Sequence, residues 1–197
     1  MLIVLSILIG YFLGSIPFRL LLCRIFLGID IRQLGSGNIG ATNVHRNTGA
    51  KLGISVLALD LLKGLFSAMI GYYFAKEIGA VLGGLAAIAG HNWSAYLKFV
   101  GGKGVATTAG VALFLFPKAF LILFPLWVTV VAITKYVSLA SVISAIAMPI
   151  VVFFFGYSLP YVLMSIFAGA FAVYRHRSNI QRLLSGTESK FSLKKKS

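Results

Sequence analysis

The sequence predicts an all-α, polytopic membrane helical bundle of seven transmembrane helices, two of them short, with the N-terminus outside and the C-terminus in the cytoplasm. Three observations predict it. Hydrophobic residues make up 59% of the 197 and charged residues only 11%, too few to cover the core of a soluble domain. Mean hydropathy is +0.95, and long apolar runs recur from Leu2 to Val173. Finally, 18 Lys and Arg face only Asp30, Asp60, Glu77 and Glu188, a formal charge of +14 that is concentrated in a few polar segments. The expected organisation is a single membrane-embedded domain over 1–197, ending in a cytoplasmic basic tail over 175–197.

The apolar segments run over 2–23, 53–75, 78–97, 105–117, 119–134, 137–156 and 159–174. A helix rises about 1.5 Å per residue, so roughly 20 residues cross the hydrocarbon and most of these segments suffice. The first carries no Lys or Arg before Arg19 and is long, unlike a typical secretory signal. Its Cys23 stands alone in the chain, which excludes a disulfide framework or a Cys-based metal site. The third is rich in small residues (Gly79-Ala80, Gly83-Gly84, Ala86-Ala87) that let membrane helices pack closely. The fourth and fifth form either one long helix or two short ones broken at Pro117-Lys118. Charge decides between them. A break puts segments 24–52, 98–104 and 175–197 on one side, with only Lys76 and Lys118 opposite, as the excess of cytoplasmic Lys and Arg requires. No internal repeat is visible, which weakens an inverted-repeat transporter reading.

Three polar stretches interrupt the apolar pattern. The first, Gly35-Ser36-Gly37-Asn38-Ile39-Gly40-Ala41-Thr42-Asn43 with Arg46 after it, alternates glycine with small polar residues. Such backbone turns aim N–H groups and hydroxyls at one point, and Arg46 adds a two-pronged phosphate contact. A surface linker is the competing explanation, but a linker does not predict nine uncharged residues before a single Arg. The second, Phe99-Val100-Gly101-Gly102-Lys103-Gly104-Val105, places Gly-Gly-Lys-Gly at the start of an apolar helix, where exposed amides and the helix dipole favour an anion. It lacks the spacing of a Walker A loop. Upstream, His91 sits in Gly90-His91-Asn92-Trp93-Ser94, where packing and substrate contact are both open. The third runs from His176 to Glu188. As a helix it sets His176, Asn179, Arg182 and Leu183 on one face; a basic amphipathic surface helix competes, but does not predict Glu188, the tail's only acid. Glu188 is expected to pair with a nearby Arg and fix the tail. Asp60 and Lys63, at i and i+3 within the second apolar segment, are expected to pair, and Ser138, Ser141 and Ser144 form a polar stripe whose Ser141 is assigned to the cytoplasmic pocket.

Taken in order, Gly14-Ser15-Ile16-Pro17-Phe18, the Ser-Gly-Asn-x-Gly-Ala-Thr-Asn run, Phe-x-Gly-Gly-Lys-Gly-Val-Ala-Thr, and His-Arg-x-Asn-Ile-x-Arg-Leu with Gly-x-Glu resemble the bacterial acyl-phosphate:glycerol-3-phosphate acyltransferase family over essentially the whole chain. Trp93 stands where the family usually has Phe. The resemblance implies an acyltransferase that moves a fatty acyl group from acyl-phosphate to the 1-hydroxyl of glycerol 3-phosphate, giving lysophosphatidic acid and phosphate in the first acylation of phospholipid synthesis. It implies functional positions at Ser36, Gly37, Asn38, Thr42, Asn43 and Arg46, at His91, Gly101, Gly102, Lys103 and Gly104, and at His176, Asn179 and Glu188. Of these, His176, Ser36, Asn179 and Lys103 are expected to act in catalysis, the loop residues and Ser141 to bind substrate, and Glu188 to hold structure.

The His-x4-Asp dyad of the other large acyltransferase class is absent, because Ala50, Tyr96 and Gln181 stand five residues after His45, His91 and His176. Neither a nucleophile elbow nor a metal site is visible, so no cofactor and no metal is expected. An acyl-phosphate is already an activated mixed anhydride, and direct attack by the glycerol hydroxyl needs mainly orientation and charge stabilisation. A substrate phosphate oxygen or His176 takes the proton. Expected partners are acyl-phosphate, glycerol 3-phosphate and membrane lipid, with functional coupling to other phospholipid-synthesis enzymes and no nucleic acid. The expected location is the bacterial inner membrane, with the active site facing the cytoplasm. The alternative class, a transporter of a phosphorylated metabolite, predicts a charged path through the membrane, whereas only Arg19, Asp60 and Lys63 lie within spans.

Overall fold

The structure, a computed structural model, describes residues 1–30 and 50–191. Helices make up all the regular structure among them. In chain order these are α1 (Leu2–Ser15), α2 (Phe18–Leu27), α3 (Ala50–Asn92), a 3-10 turn (Ala95–Leu97), α4 (Val105–Leu115), α5 (Pro117–Thr134), α6 (Val137–Phe154), α7 (Leu159–Arg175) and α8 (Arg177–Leu184). Among the described residues, four stretches are long and apolar enough to cross a membrane, namely Leu2–Leu27, Lys51–Leu97, Pro117–Thr134 and Val137–Phe154. The shorter α4 and α7 are apolar as well.

One break refines the expected segments, and two others fall between segments as expected. The first apolar segment divides at Ile16-Pro17, because proline supplies no N–H to an i→i−4 ladder. The carbonyls left over are used: Ser15 accepts a hydrogen bond from the Ser94 hydroxyl at 2.6 Å, and Ile16 accepts one from Lys63 Nζ at 3.0 Å. In lipid such groups must be satisfied within the protein. The long α3 turns sharply at Ala75-Lys76, where Lys76 takes a left-handed φ of 50°, so its two halves run as separate helices. The expected break between the fourth and fifth segments is present at Phe116, one residue before Pro117.

Close helix approach positions everything else. A Cβ on Gly10 would strike the Gly83 backbone, and one on Gly14 the Ala87 backbone. α1 therefore lies directly against the second half of α3, as the small residues of that segment predict. α4 packs on α3 in turn, and α5, α6 and α7 complete the bundle. The core centres on Ile88, Val111, Phe116, Met148 and Met164, while Phe124, Ile146, Phe153 and Leu163 point outward, the arrangement of a protein whose solvent is hydrocarbon.

The polar groups divide between two ends of the bundle. At one end Ser158 donates to Glu77, and Lys118 N–H to the Tyr157 hydroxyl at 3.3 Å. At the other, loop 98–104 meets Arg175, α8 and the tail, and Phe191 N–H returns to the Lys135 carbonyl at 2.7 Å. Of the basic segments that charge placement assigned to one side, 98–104 and the described part of 175–197 meet at this end. Substituting Gly14→Val should force α1 away from Ala87 and cost about 1–3 kcal/mol. A lowered Tm of the detergent-solubilised protein checks this, and an unchanged Tm would exclude the close packing.

Candidate active site

The site begins with four ionisable residues drawn from α2 and α3. Lys63 Nζ lies 2.8 Å from Asp60 Oδ1, the i, i+3 pair expected from the sequence. Asp60 Oδ1 is also 3.6 Å from His91 Nδ1, and His91 Nε2 is 3.0 Å from Arg19 Nη2. All four side chains are buried. Because a guanidinium can only donate, Nε2 of His91 is the acceptor and the proton sits on Nδ1, directed at Thr107 Oγ1, 3.1 Å away, and at Asp60. His91 therefore has no free lone pair for base catalysis. Of its two readings, the hydrogen-bonding one accounts for both ring nitrogens.

The glycine-rich loop rests on this cluster. Gly102 N–H donates to the His91 carbonyl at 2.9 Å. A Cβ on Gly102 would collide with the His91 ring and the Arg19 guanidinium, and one on Gly101 with the carbonyls of His91 and Asn92. From the opposite side Arg175 donates to the carbonyls of Gly102 and Gly101, both at 2.8 Å. Gly104 then takes φ 76° as the residue before α4, a conformation that glycine adopts without steric cost. The loop is thus delivered to a helix N-terminus whose first N–H groups have no intrahelical partners.

Lys103 points from this loop to the third motif. Its Nζ donates to Asn179 Oδ1 at 2.5 Å, and Asn179 Nδ2 donates to Glu188 Oε1 at 2.7 Å. Glu188 also accepts from the Ser138 hydroxyl at 2.8 Å and from Arg182 Nε at 2.7 Å. Burial raises the Glu188 pKa, but the hydrogen bonds from Asn179, Ser138 and Arg182 outweigh it and hold the carboxyl below its ordinary value. The expected Glu188–Arg pairing is present as Arg182, and it ties the tail to α6 through Ser138. Ser141, assigned to the pocket on sequence grounds, bonds the Val137 carbonyl at 2.8 Å and accepts from Trp127 Nε1 at 3.2 Å. One helical turn separates the two serines, and it is Ser138 that reaches the cluster.

His176 is the turn residue between α7 and α8, and it is buried. Its Nδ1 lies 2.8 Å from the Ala172 carbonyl, which can only accept, so Nδ1 carries the proton and Nε2 keeps its lone pair. Burial first, then the nearby Lys103 ammonium, pushes its pKa down to about 4. Of the sequence-assigned positions, His91, Gly101, Gly102, Lys103, Gly104, His176, Asn179 and Glu188 come together at this end of the bundle. Ser36, Gly37, Asn38, Thr42, Asn43 and Arg46 lie outside the described residues. The sequence marks Arg19 only as a charge within a span and does not assign it to the site, and Arg175, a basic residue at a helix end, reads there as a membrane-surface anchor. Among the described residues no group of His, Cys, Asp and Glu has the makings of a metal site.

Asp60→Asn should leave the buried Lys63 and Arg19 without their anion and cost about 3–5 kcal/mol. Asp60→Asn combined with Lys63→Met should recover part of that loss. Thermal unfolding in detergent checks both, and equal Tm values for wild type and Asp60→Asn would remove the charge-balance argument.

The comparisons bear directly on this geometry. A family model described as glycerol-3-phosphate acyltransferase matches residues 4–186. A glycerol-3-phosphate acyltransferase of Carboxydothermus hydrogenoformans is 43% identical over 193 residues, covering 98% of both chains. One from Fusobacterium nucleatum is 46% identical over 186 residues, covering 94% of this chain and 96% of its own. Among solved structures, PlsY (YgiH), an integral membrane glycerol 3-phosphate acyltransferase, superposes in its glycerol 3-phosphate form with a TM-score of 0.92 at 39% identity, over 96% of each chain. Its lysophosphatidic acid form superposes at 0.90. With apolar helices throughout and a fold shared with an integral membrane enzyme, this chain is a multi-pass membrane protein, and it belongs to the glycerol-3-phosphate acyltransferase family.

Proposed function

We propose that the protein transfers a fatty acyl group from acyl-phosphate to the 1-hydroxyl of glycerol 3-phosphate, releasing lysophosphatidic acid and inorganic phosphate, and so performs the first acylation of phospholipid synthesis. The observation that carries this reading is the Lys103–Asn179 contact. It joins an anion-binding loop to the segment of a neutral, buried His176 at the polar end of an apolar bundle. Such a place suits a reaction between a lipid-soluble acyl donor and a water-soluble phosphate.

In this reading Lys103, the first-turn amides of α4 and Arg46 hold the two phosphates, while Ser36 and Asn38 steady the acyl-phosphate. The glycerol oxygen attacks the acyl carbonyl carbon, and the carbon–oxygen bond to phosphate breaks. The hydroxyl proton passes to a phosphate oxygen or to His176 Nε2. With a pKa of about 4 the free ring is a weak base. A phosphate with a second pKa of about 6 is the stronger one, which favours substrate assistance. The chain acts as one membrane-embedded domain over 1–197, crossing the inner membrane of a bacterium seven times. The N-terminus is outside, and the basic end, with the tail from 175, faces the cytoplasm.

Purified protein in detergent, given acyl-phosphate and labelled glycerol 3-phosphate, should form labelled lysophosphatidic acid, and acyl-CoA should not replace the donor. Transfer from acyl-CoA alone would overturn the donor, and transfer from neither would overturn the reaction. The pH dependence supplies a second test. Because the folded pKa of His176 is depressed from 6.5 to about 4, the native ring stays neutral where the unfolded one takes a proton. Its stability contribution is complete above about pH 6.5 and declines as pH falls towards 4. For kcat/KM, wild type should therefore show no His176 inflection near pH 6.5, whereas His176→Gln changes the level of the profile and not its shape. An acid limb centred near 6.5 that vanishes in His176→Gln would contradict this.

A further inference from the structure

Arg175 ends α7 and immediately precedes His176. Its Nε and Nη2 each hold one carbonyl of the Gly101-Gly102 pair at 2.8 Å, and its guanidinium lies 5.7 Å from the centre of the Trp93 ring. Two N–H groups fixed in one plane suit a pair of successive carbonyls; a single ammonium on a flexible stem does not reproduce that geometry. The same dipeptide is held from α3 by the Gly102 N–H bond to the His91 carbonyl. The next residue is Lys103, whose Nζ meets Asn179, three residues beyond His176. The second and third motifs are therefore joined twice, once between side chains and once through Arg175 and the loop backbone.

We infer that Arg175 is a positioning residue for acyl transfer: it sets the turn from which Lys103 departs and locks that turn to the segment bearing His176. The inference rests on the function proposed above for its kinetic consequence, while its structural content concerns the anion loop alone. The competing role, a cationic anchor at the membrane surface, needs only the charge. Arg175→Lys separates the two, since it keeps the charge and removes the two-carbonyl contact.

The test uses the full chain in detergent and two readouts, acyl-transfer kinetics and the rise in Tm produced by inorganic phosphate. Arg175→Lys should unfold within about 2 °C of wild type without ligand. It should lose the phosphate-induced rise in Tm and lower kcat/KM about tenfold or more, as displacement of a positioned group does. In a Lys103→Ala background the same substitution should change kcat/KM less than about twofold, because a residue acting through Lys103 has nothing further to misplace. Wild-type kinetics and phosphate response in Arg175→Lys would overturn the inference. So would an equal fold-loss in both backgrounds, which marks a general structural role. A wild type that binds phosphate without transferring acyl groups would overturn the proposed reaction, and the phosphate response of Arg175→Lys would still decide the role of Arg175. If Arg175→Lys does not withstand extraction, Arg175→Gln is measured in the same way in isolated membranes.

Discussion

Asp60 is the only buried carboxylate among the described residues, and the placement of the site depends on its charge. Lys63 and Arg19 are buried beside it in a segment where water cannot solvate them, so each needs a partner inside the protein. Lys63 takes Asp60 and the carbonyl freed at Ile16; Arg19 takes the ring of His91, whose proton faces back to Asp60 and Thr107. The bends at Pro17 and the polar face of α3 are parts of the same solution. The cluster does not itself offer a base or a nucleophile. It forms the floor on which Gly102 lies, close enough that no side chain fits between.

Above that floor the loop is built from constraints of opposite kind. Glycine is required where the chain touches His91 and Arg19 and where it turns left-handed into α4, while Arg175 and the His91 carbonyl remove the freedom that glycine would otherwise allow. Lys103 is the one long side chain in the run, and it reaches Asn179 in a chain of hydrogen bonds that ends on Glu188. The two described histidines differ in the atom left over. His91 spends both nitrogens inside the protein, whereas His176 spends only Nδ1. Similar burial thus leaves both ring nitrogens partnered in one case and an available Nε2 in the other.

Much of the fold was legible before any coordinates. Hydropathy located the apolar segments, and the charge rule identified the break before Pro117 because a continuous helix would have put the basic tail on the wrong side. The bend at Pro17 was less visible, since Pro17 sits in an unbroken apolar run and the signal was read as part of one span. Arg175 and Arg19 stayed hidden for a related reason. A basic residue in or near a membrane helix has an adequate local explanation, and nothing local says that its partner is a glycine carbonyl or a histidine ring more than 70 residues away. Ser138 and Ser141 lie on the same stripe, and only the packing of α6 against α5 and the tail assigns one to Glu188 and the other to Trp127.

By itself the sequence determined that the chain lives in lipid, where most of its helices break, and which residues interrupt the apolar pattern. These follow from composition, span length and charge, which are local or additive properties. Only the tertiary structure decided which histidine keeps a lone pair, which serine meets Glu188, and what holds Gly101 and Gly102 in place. Each of these depends on a hydrogen-bond partner supplied by a distant helix, and inside a membrane-embedded bundle the choice of partner settles what a polar side chain is free to do.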